Sequence, residues 1–150
     1  MYCIECNCYI GGNVRYSSNQ YLGFPLCREH QAWIRNHQAT EEAIELYFLL
    51  KKNKVPAVLE KHDDNKIADI VIEKAKVHIA VDDRHNNYDH NRALDNLKKT
   101  FHSFKKGYVT LRIPNALIQS KAEETANYIS EFLALKQQQK KGFSIRRLFG

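Results

Sequence analysis

The chain has 150 residues, of which 43% are hydrophobic and 11% aromatic, enough apolar content to bury a sizeable core. This composition excludes global disorder, and no apolar run reaches the ~18–20 residues that a membrane span needs. Lysine and arginine outnumber the acids by 23 to 17, which gives a net charge of +6 and fits an anionic partner such as nucleic acid without requiring one. The N-terminus lacks the basic and apolar regions of a signal peptide, so we expect a soluble, cytoplasmic protein that does not contact a membrane.

All four cysteines fall in the first fifth of the chain. Cys3 and Cys6 are separated by two residues, and Cys27 and His30 repeat that spacing. Two such pairs supply the four donors of a tetrahedral Zn²⁺ site, whereas a disulfide framework would be spread over the fold and would need an oxidising compartment. Residues 1–36 are therefore predicted to be a small lobe around a structural zinc ion.

Alternatives remain open within this lobe. Cys8 is a spare thiol, and His37 is a fourth ligand with less suitable spacing. Free buried cysteines beside a surface histidine would explain the same residues without a metal. The glycines and the intervening residues up to Cys27 predict a short hairpin between the two ligand pairs.

The remainder, residues 39–135, is predicted to be one α/β unit. Thr40 is an expected N-cap, Gly107 an expected helix end, and Ser120 with Glu123 forms a capping box. Strands two and three are separated by only three residues, 74–76, which predicts a hairpin. In chain order we expect a helix at 39–53, strands at 55–61, 67–73 and 77–83, a helix at 89–106, a strand at 108–114 and a helix from 120 to about 135.

The second of these helices has one apolar face, formed by Leu94, Leu97, Phe101 and Phe104. At helical spacing such a face is typical of a core-packing helix, so Phe101 and Phe104 are expected in the core with the neighbouring lysines solvated. The alternative is an aromatic and basic patch that binds nucleic acid. The basic segment 136–150 is predicted to lack regular structure.

Acidic residues occur inside or at the end of two apolar strands. Asp69 precedes Ile70, and Asp82 and Asp83 end the next strand. A hairpin between these strands would bring Asp69 close to residues 80–82, where converging carboxylates bind Mg²⁺. The alternative is structural: Asp82 and Asp83 form an ordinary turn, and Asp69 caps a backbone group or pairs with a lysine.

The segment IADIVIEKAKVHIAVDDRHN, the helix NRALDNLKKTFHSFKKG and the strand YVTLRIPNALI together resemble the PD-(D/E)xK restriction-endonuclease-like superfamily. The similarity is greatest to the branch that contains the very-short-patch repair endonucleases, and it covers residues 40 to 135. It implies a restriction-endonuclease-like mixed sheet flanked by helices. Some bacterial members carry an N-terminal Cys/His zinc knuckle, which would match the first lobe.

The resemblance assigns roles to particular residues. It implies that Asp69 is the first metal-binding acid and that Asp82 is the aspartate of the following strand. His85 lies near a histidine that often follows this strand, with spacing one residue short. Lys98 could replace the migrating motif lysine. An acid on the first helix, either Glu42 or Glu45, would hold metal-bound water.

Two positions depart from the family pattern. Ala80 stands where most relatives carry a metal-binding acid, and Asp83 stands where they carry glycine. Three explanations are open for Ala80: an introduced replacement that preserves substrate, a natural loss of activity, or a site in which a backbone carbonyl of residues 80–82, such as that of Val81, serves instead.

These features lead to three hypotheses. The first is a Mg²⁺-dependent DNA endonuclease, with Mn²⁺ as a substitute metal and a homodimer as a reasonable assembly for double-strand cutting. The second is a catalytically silent zinc-ribbon module that binds nucleic acid or protein. The third is a subunit of a larger defence or repair complex, docked through the C-terminal tail.

Overall fold

The computed structural model describes residues 1–14, 23–60, 67–82 and 89–149, with side chains as far as residue 142. Within these ranges the chain is a mixed α/β protein built on one four-stranded sheet. None of its described helices is long and apolar enough to cross a lipid bilayer. In chain order the elements are α1 (Arg28–Asn36), α2 (Glu41–Lys52), β1 (Val58–Leu59), β2 (Ile70–Ile72), a 3-10 turn (Glu73–Ala75), β3 (Val77–Asp82), α3 (His90–Lys105), β4 (Val109–Pro114) and α4 (Asn115–Phe149).

The sheet has the strand order β1-β2-β3-β4. Strands β1, β2 and β3 pair antiparallel, and the 3-10 turn closes the hairpin between β2 and β3 as predicted, with Lys76 in the left-handed conformation at φ 55°. Strand β4 pairs parallel with β3 after the α3 crossover, since parallel neighbours need a long connection. Strands β1 and β2 are shorter than the sequence predicted, at two and three residues.

The hydrophobic core lies on one face of the sheet, beneath α2 and α4. Ile70 and Ile79 are fully buried there, and Phe48 of α2 is only 1% exposed. The Thr40 hydroxyl accepts a hydrogen bond from the Ala43 N–H at 3.2 Å, which confirms the predicted N-cap of α2. The core also includes Cys3 and Leu26 from the N-terminal segment, so that segment packs directly on the α/β unit.

Helix α3 lies on the other face and contacts β4. Its bounds agree with the prediction, from the Asp89 N-cap to Gly107, which ends it at φ 85°. The expectation that its apolar face belongs to the core was wrong. These four side chains are 50 to 71% exposed: Leu94, Leu97, Phe101 and Phe104.

The helical segment α4 has a kink at Lys121, where the backbone angles are non-helical. A short helix thus follows β4 directly from Asn115, and the second helix begins after Lys121, close to the predicted start at 120. The Ser120 hydroxyl donates to the Ala116 carbonyl at 2.9 Å and so does not act as the predicted cap. The helix then continues to Phe149, so the expectation that regular structure ends near Lys136 was wrong; glutamine and lysine, which dominate 137–141, are good helix formers.

Candidate metal centre and the acids of the sheet

The predicted zinc ligands come together. The donor atoms of Cys3, Cys6, Cys27 and His30 all lie within 4.8 Å of one another, and these four form the only group of three or more metal-binding side chains among the described residues. His30 Nδ1 is 3.1 Å from Cys27 Sγ and 3.6 Å from Cys3 Sγ, and Cys6 Sγ is 3.9 Å from Cys27 Sγ. A tetrahedral zinc ion would separate its ligand atoms by about 3.5–3.8 Å. The cluster could therefore hold a metal such as zinc.

Local structure explains why the ligands converge. Cys3 and Cys6 lie on a tight turn in which the Asn7 N–H donates to the Cys3 carbonyl at 2.9 Å. Asn7 has φ 59°, a left-handed conformation that asparagine tolerates well. On the other side, Cys27 is the N-cap of α1, which places His30 one turn later on the same side of the chain.

The two other sulfur or nitrogen donors considered from the sequence stay outside the cluster. Cys8 is exposed and is not one of the four clustered donors; hydrogen bonding to Cys6, then burial and hydrogen bonding to Cys27, raise the pKa of its thiol to about 12. His37 follows α1 and packs edge-on against Trp33, with ring centroids 5.5 Å apart.

Glu5, between the first two cysteines, links the cluster to the α/β unit. The Tyr47 hydroxyl donates to Glu5 Oε1 at 2.7 Å, and Lys51 Nζ lies 3.8 Å from Glu5 Oε2. Burial, and then the contact with Glu5, raises the pKa of Tyr47, so this residue remains a hydrogen-bond donor. The sequence analysis did not identify this link, because it joins residues 42 positions apart.

Asp69 lies where the hairpin prediction placed it, beside residues 80–82. It is buried, its N–H donates to the Ile79 carbonyl at 2.9 Å, and its Oδ2 accepts the Val81 N–H at 2.7 Å. The backbone and side chain of Asp69 therefore bracket Ala80, the position at which most members of the resembled family carry an acid.

Asp82 is engaged in an ion pair. Arg112 Nη1 lies 3.2 Å from Asp82 Oδ1 and 3.3 Å from Oδ2, and the two side chains are 29% and 17% exposed. Arg112 also donates through Nη2 to Thr100 and to the Asn96 carbonyl of α3. Arg112 was not among the predicted site residues, although an arginine in the middle of an otherwise apolar strand is a signal that the sequence offers.

The remaining predicted site residues do not join Asp69 in a described cluster. Lys98 is exposed on α3. Glu42 Oε1 accepts a hydrogen bond from Gln119 Nε2 at 2.8 Å, and Glu45 is partly buried, with its pKa raised by that burial and by Glu42. His85 and Asp83 lie outside the described residues. Among the described residues, neither Asp69 nor Asp82 belongs to a group of three or more metal-binding side chains.

His78 of β3 is buried. Its Nδ1 lies 2.8 Å from the hydroxyl of Ser103, a fully buried residue of α3, and its ring stacks on Tyr108 with centroids 4.1 Å apart. Burial, and then the positive charge of Lys106, lowers the pKa of His78. His78 and Ser103 thus fix α3 on the sheet.

Comparison of the chain with known protein families, with curated proteins and with solved structures finds no match.

Proposed function

We propose that the protein is a zinc-stabilised DNA-binding protein with an endonuclease body of the PD-(D/E)xK type, in which the hydrolytic metal site is incomplete at Ala80. The observation that carries this proposal is the position of Asp69, which brackets Ala80 through its N–H and its carboxylate. An acid at position 80 would stand next to the Asp69 carboxylate. Two adjacent carboxylates are the usual core of a magnesium site that cleaves phosphodiesters.

The arrangement of elements supports the proposed body. A helix, three antiparallel strands, a crossover helix and a parallel strand follow one another from α2 to β4. The resemblance implies these elements in this order, with the first acid at the second strand and the next acids on the third. Asp69 and Ala80 occupy those two places.

Charge explains why the site is incomplete as it stands. Replacement of one carboxylate by alanine removes a charged ligand from a site that has few. Asp82 is paired with Arg112, so its negative charge is already neutralised. We therefore expect the unaltered chain to bind DNA and to cleave it weakly or not at all.

Binding to DNA would use phosphate contacts, which position a duplex without reading its sequence. The net charge of +6 supplies the positive charge for these contacts. Binding of a labelled duplex should weaken by orders of magnitude as salt is raised, because each phosphate contact releases counterions. Duplex binding that does not change with salt would contradict these phosphate contacts and would favour a protein as the partner.

A plasmid-nicking assay in Mg²⁺ and in Mn²⁺ tests the incomplete site. We expect Ala80→Glu to nick supercoiled DNA and the unaltered chain to be at least about a hundredfold slower. Ala80→Gln is the matched control, because glutamine has the size of glutamate without its charge, and it should remain inactive. Adding Asp69→Asn to Ala80→Glu should abolish the gain.

Two outcomes would change the proposal. Cleavage by the unaltered chain that disappears in Asp69→Asn would indicate that the backbone near Val81 substitutes for the missing acid. No cleavage by any variant, with zinc content and circular dichroism unchanged, would contradict the endonuclease body and leave a binding module.

A further inference from the structure

Helix α3 has an apolar stripe that the described part of the chain leaves exposed. Leu94, Leu97, Phe101 and Phe104 are 50, 64, 57 and 71% exposed. Their spacing of three, four and three residues matches the a and d positions of two successive heptads, which is the spacing of a seam between two helices.

The exposure follows from how α3 is attached to the sheet. Ser103 contacts His78, Thr100 accepts from Arg112 at 2.7 Å, and the Asn96 carbonyl accepts from Arg112 at 2.8 Å. Rotating the helix to bury the stripe would leave these buried or half-buried polar groups without partners, at a cost of about 1–3 kcal/mol for each. The polar side of α3 therefore faces the sheet, and the apolar side faces outward.

One border of the stripe is positively charged. Lys98 and Lys105 occupy the two e positions beside the stripe, and Lys105 Nζ lies 4.7 Å above the Phe101 ring. Asp95 is the only acid between residues 90 and 106, against five lysines and arginines: Arg92, Lys98, Lys99, Lys105 and Lys106.

We propose that α3 docks an acidic amphipathic helix of another protein. The heptad spacing favours a helical partner. The lysines at the e positions favour acidic residues on the side of the partner helix that faces them. A second copy of this chain offers no acid beside the stripe, since it carries lysine at the e positions and Ala93 and Thr100 at the g positions. Its C-terminal residues 143–150 carry Arg146 and Arg147, so neither occupant has the right charge. Single-stranded nucleic acid has the right charge, but two of the four stripe residues are leucines, which offer no ring for base stacking.

Two synthetic helical peptides of about three heptads test this surface. Both carry leucine at positions a and d; one carries glutamate at e and g, and its twin carries lysine there, so that neither peptide pairs with itself. Fluorescence anisotropy should show the acidic peptide binding at least about tenfold more tightly than its twin. Lys98→Glu combined with Lys105→Glu should reverse that preference.

The stripe itself is tested by Leu97→Gln combined with Phe101→Gln, which should abolish peptide binding. Tyr128→Gln is the matched control, because Tyr128 is 73% exposed on another helix, and it should bind the acidic peptide normally. Since all these side chains are exposed, zinc content and circular dichroism should remain unchanged. The charge-reversal pair changes only lysine heads and provides a second test should the double glutamine variant lose its fold.

Three results would overturn the proposal. The first is equal binding of both peptides. The second is a dimer in sedimentation analysis that Leu97→Gln with Phe101→Gln removes, since the occupant would then be a second copy. The third is oligothymidine that binds more tightly than the acidic peptide, displaces it and requires Phe101, since the surface would then serve single-stranded nucleic acid.

Discussion

The four donors of the candidate metal centre differ in burial, and this difference decides what each loss would do. Cys3 is 2% exposed and packs in the core, whereas Cys6 is exposed beside it. A ligand that is also a core residue couples metal binding to packing. Binding of zinc is then part of the folding free energy of the whole chain.

We expect the purified protein to contain about one zinc ion per chain and Cys27→Ser to lose it, because three donors hold zinc far less tightly than four. Elemental analysis measures the content, and the absorption bands of the Co²⁺-substituted protein report thiolate ligation. Cys8→Ser is the matched control and should keep the full content. Loss of zinc in Cys8→Ser would show that Cys8 is a ligand.

His78 makes the folding stability depend on pH. Its pKa is lowered in the folded chain, so the unfolded chain, with an ordinary histidine pKa of about 6.5, takes up the proton first as the solution is acidified. The contribution of neutral His78 is complete above about pH 6.5 and is lost as the pH falls below it.

Urea unfolding at about pH 7.5 and about pH 5.5 checks this expectation. The unaltered chain should be less stable at the lower pH, and His78→Phe should lose less stability between the two values. The matched control is His102→Gln, at an exposed histidine of α3, which should show the same pH dependence as the unaltered chain. All three proteins share any effect of acid on the zinc ligands, so the difference between them isolates His78.

At the level of elements, the sequence was most informative where a structure depends on neighbouring residues. The Thr40 cap, the turn at 74–76 and the α3 bounds are local, and all were predicted. The pairing of Asp82 with Arg112 spans 30 positions, and a pattern in one strand says nothing about it. Amphipathicity predicts that α3 has an apolar face, but not whether the partner of that face belongs to the same chain.

Gly107 shows how one residue sets the end of an element. It has φ 85°, and open space surrounds the position where a Cβ would lie. Gly107→Ala should therefore lower stability by about 1 kcal/mol through backbone strain alone. Gly142→Ala, within α4 and also in open space, should raise stability by about 0.5–1 kcal/mol. Thermal unfolding measures the stability of both variants. Equal stability changes in Gly107→Ala and Gly142→Ala would contradict the left-handed conformation at Gly107.

For the whole molecule, the candidate metal centre and the α/β unit share one hydrophobic core. Phe24 of the N-terminal segment packs against Phe48 of α2, with ring centroids 5.2 Å apart, and Glu5 accepts a hydrogen bond from Tyr47. The spacing of the cysteines predicted the ligands, whereas these contacts arise only when distant parts of the chain fold together. Metal loss should thus affect the entire fold.

We expect removal of zinc by a strong chelator to lower the melting temperature of the whole chain in one transition, by about 10 °C or more. Calorimetry on the loaded and stripped protein measures the shift, and added zinc should reverse it. A separate early transition with the main one unchanged would contradict the shared core.

The position of Trp33 has a further consequence. It is the only tryptophan of the chain, it is partly buried, and its ring lies 6.0 Å from that of His30 and 6.2 Å from that of Tyr47. The indole thus packs edge-on against His30, a candidate metal ligand, and against Tyr47 of α2. Tyr47 in turn contacts the N-terminal segment through Glu5. Its emission wavelength and intensity should change when the metal leaves, which gives the protein an intrinsic, label-free optical signal of its own metal loading.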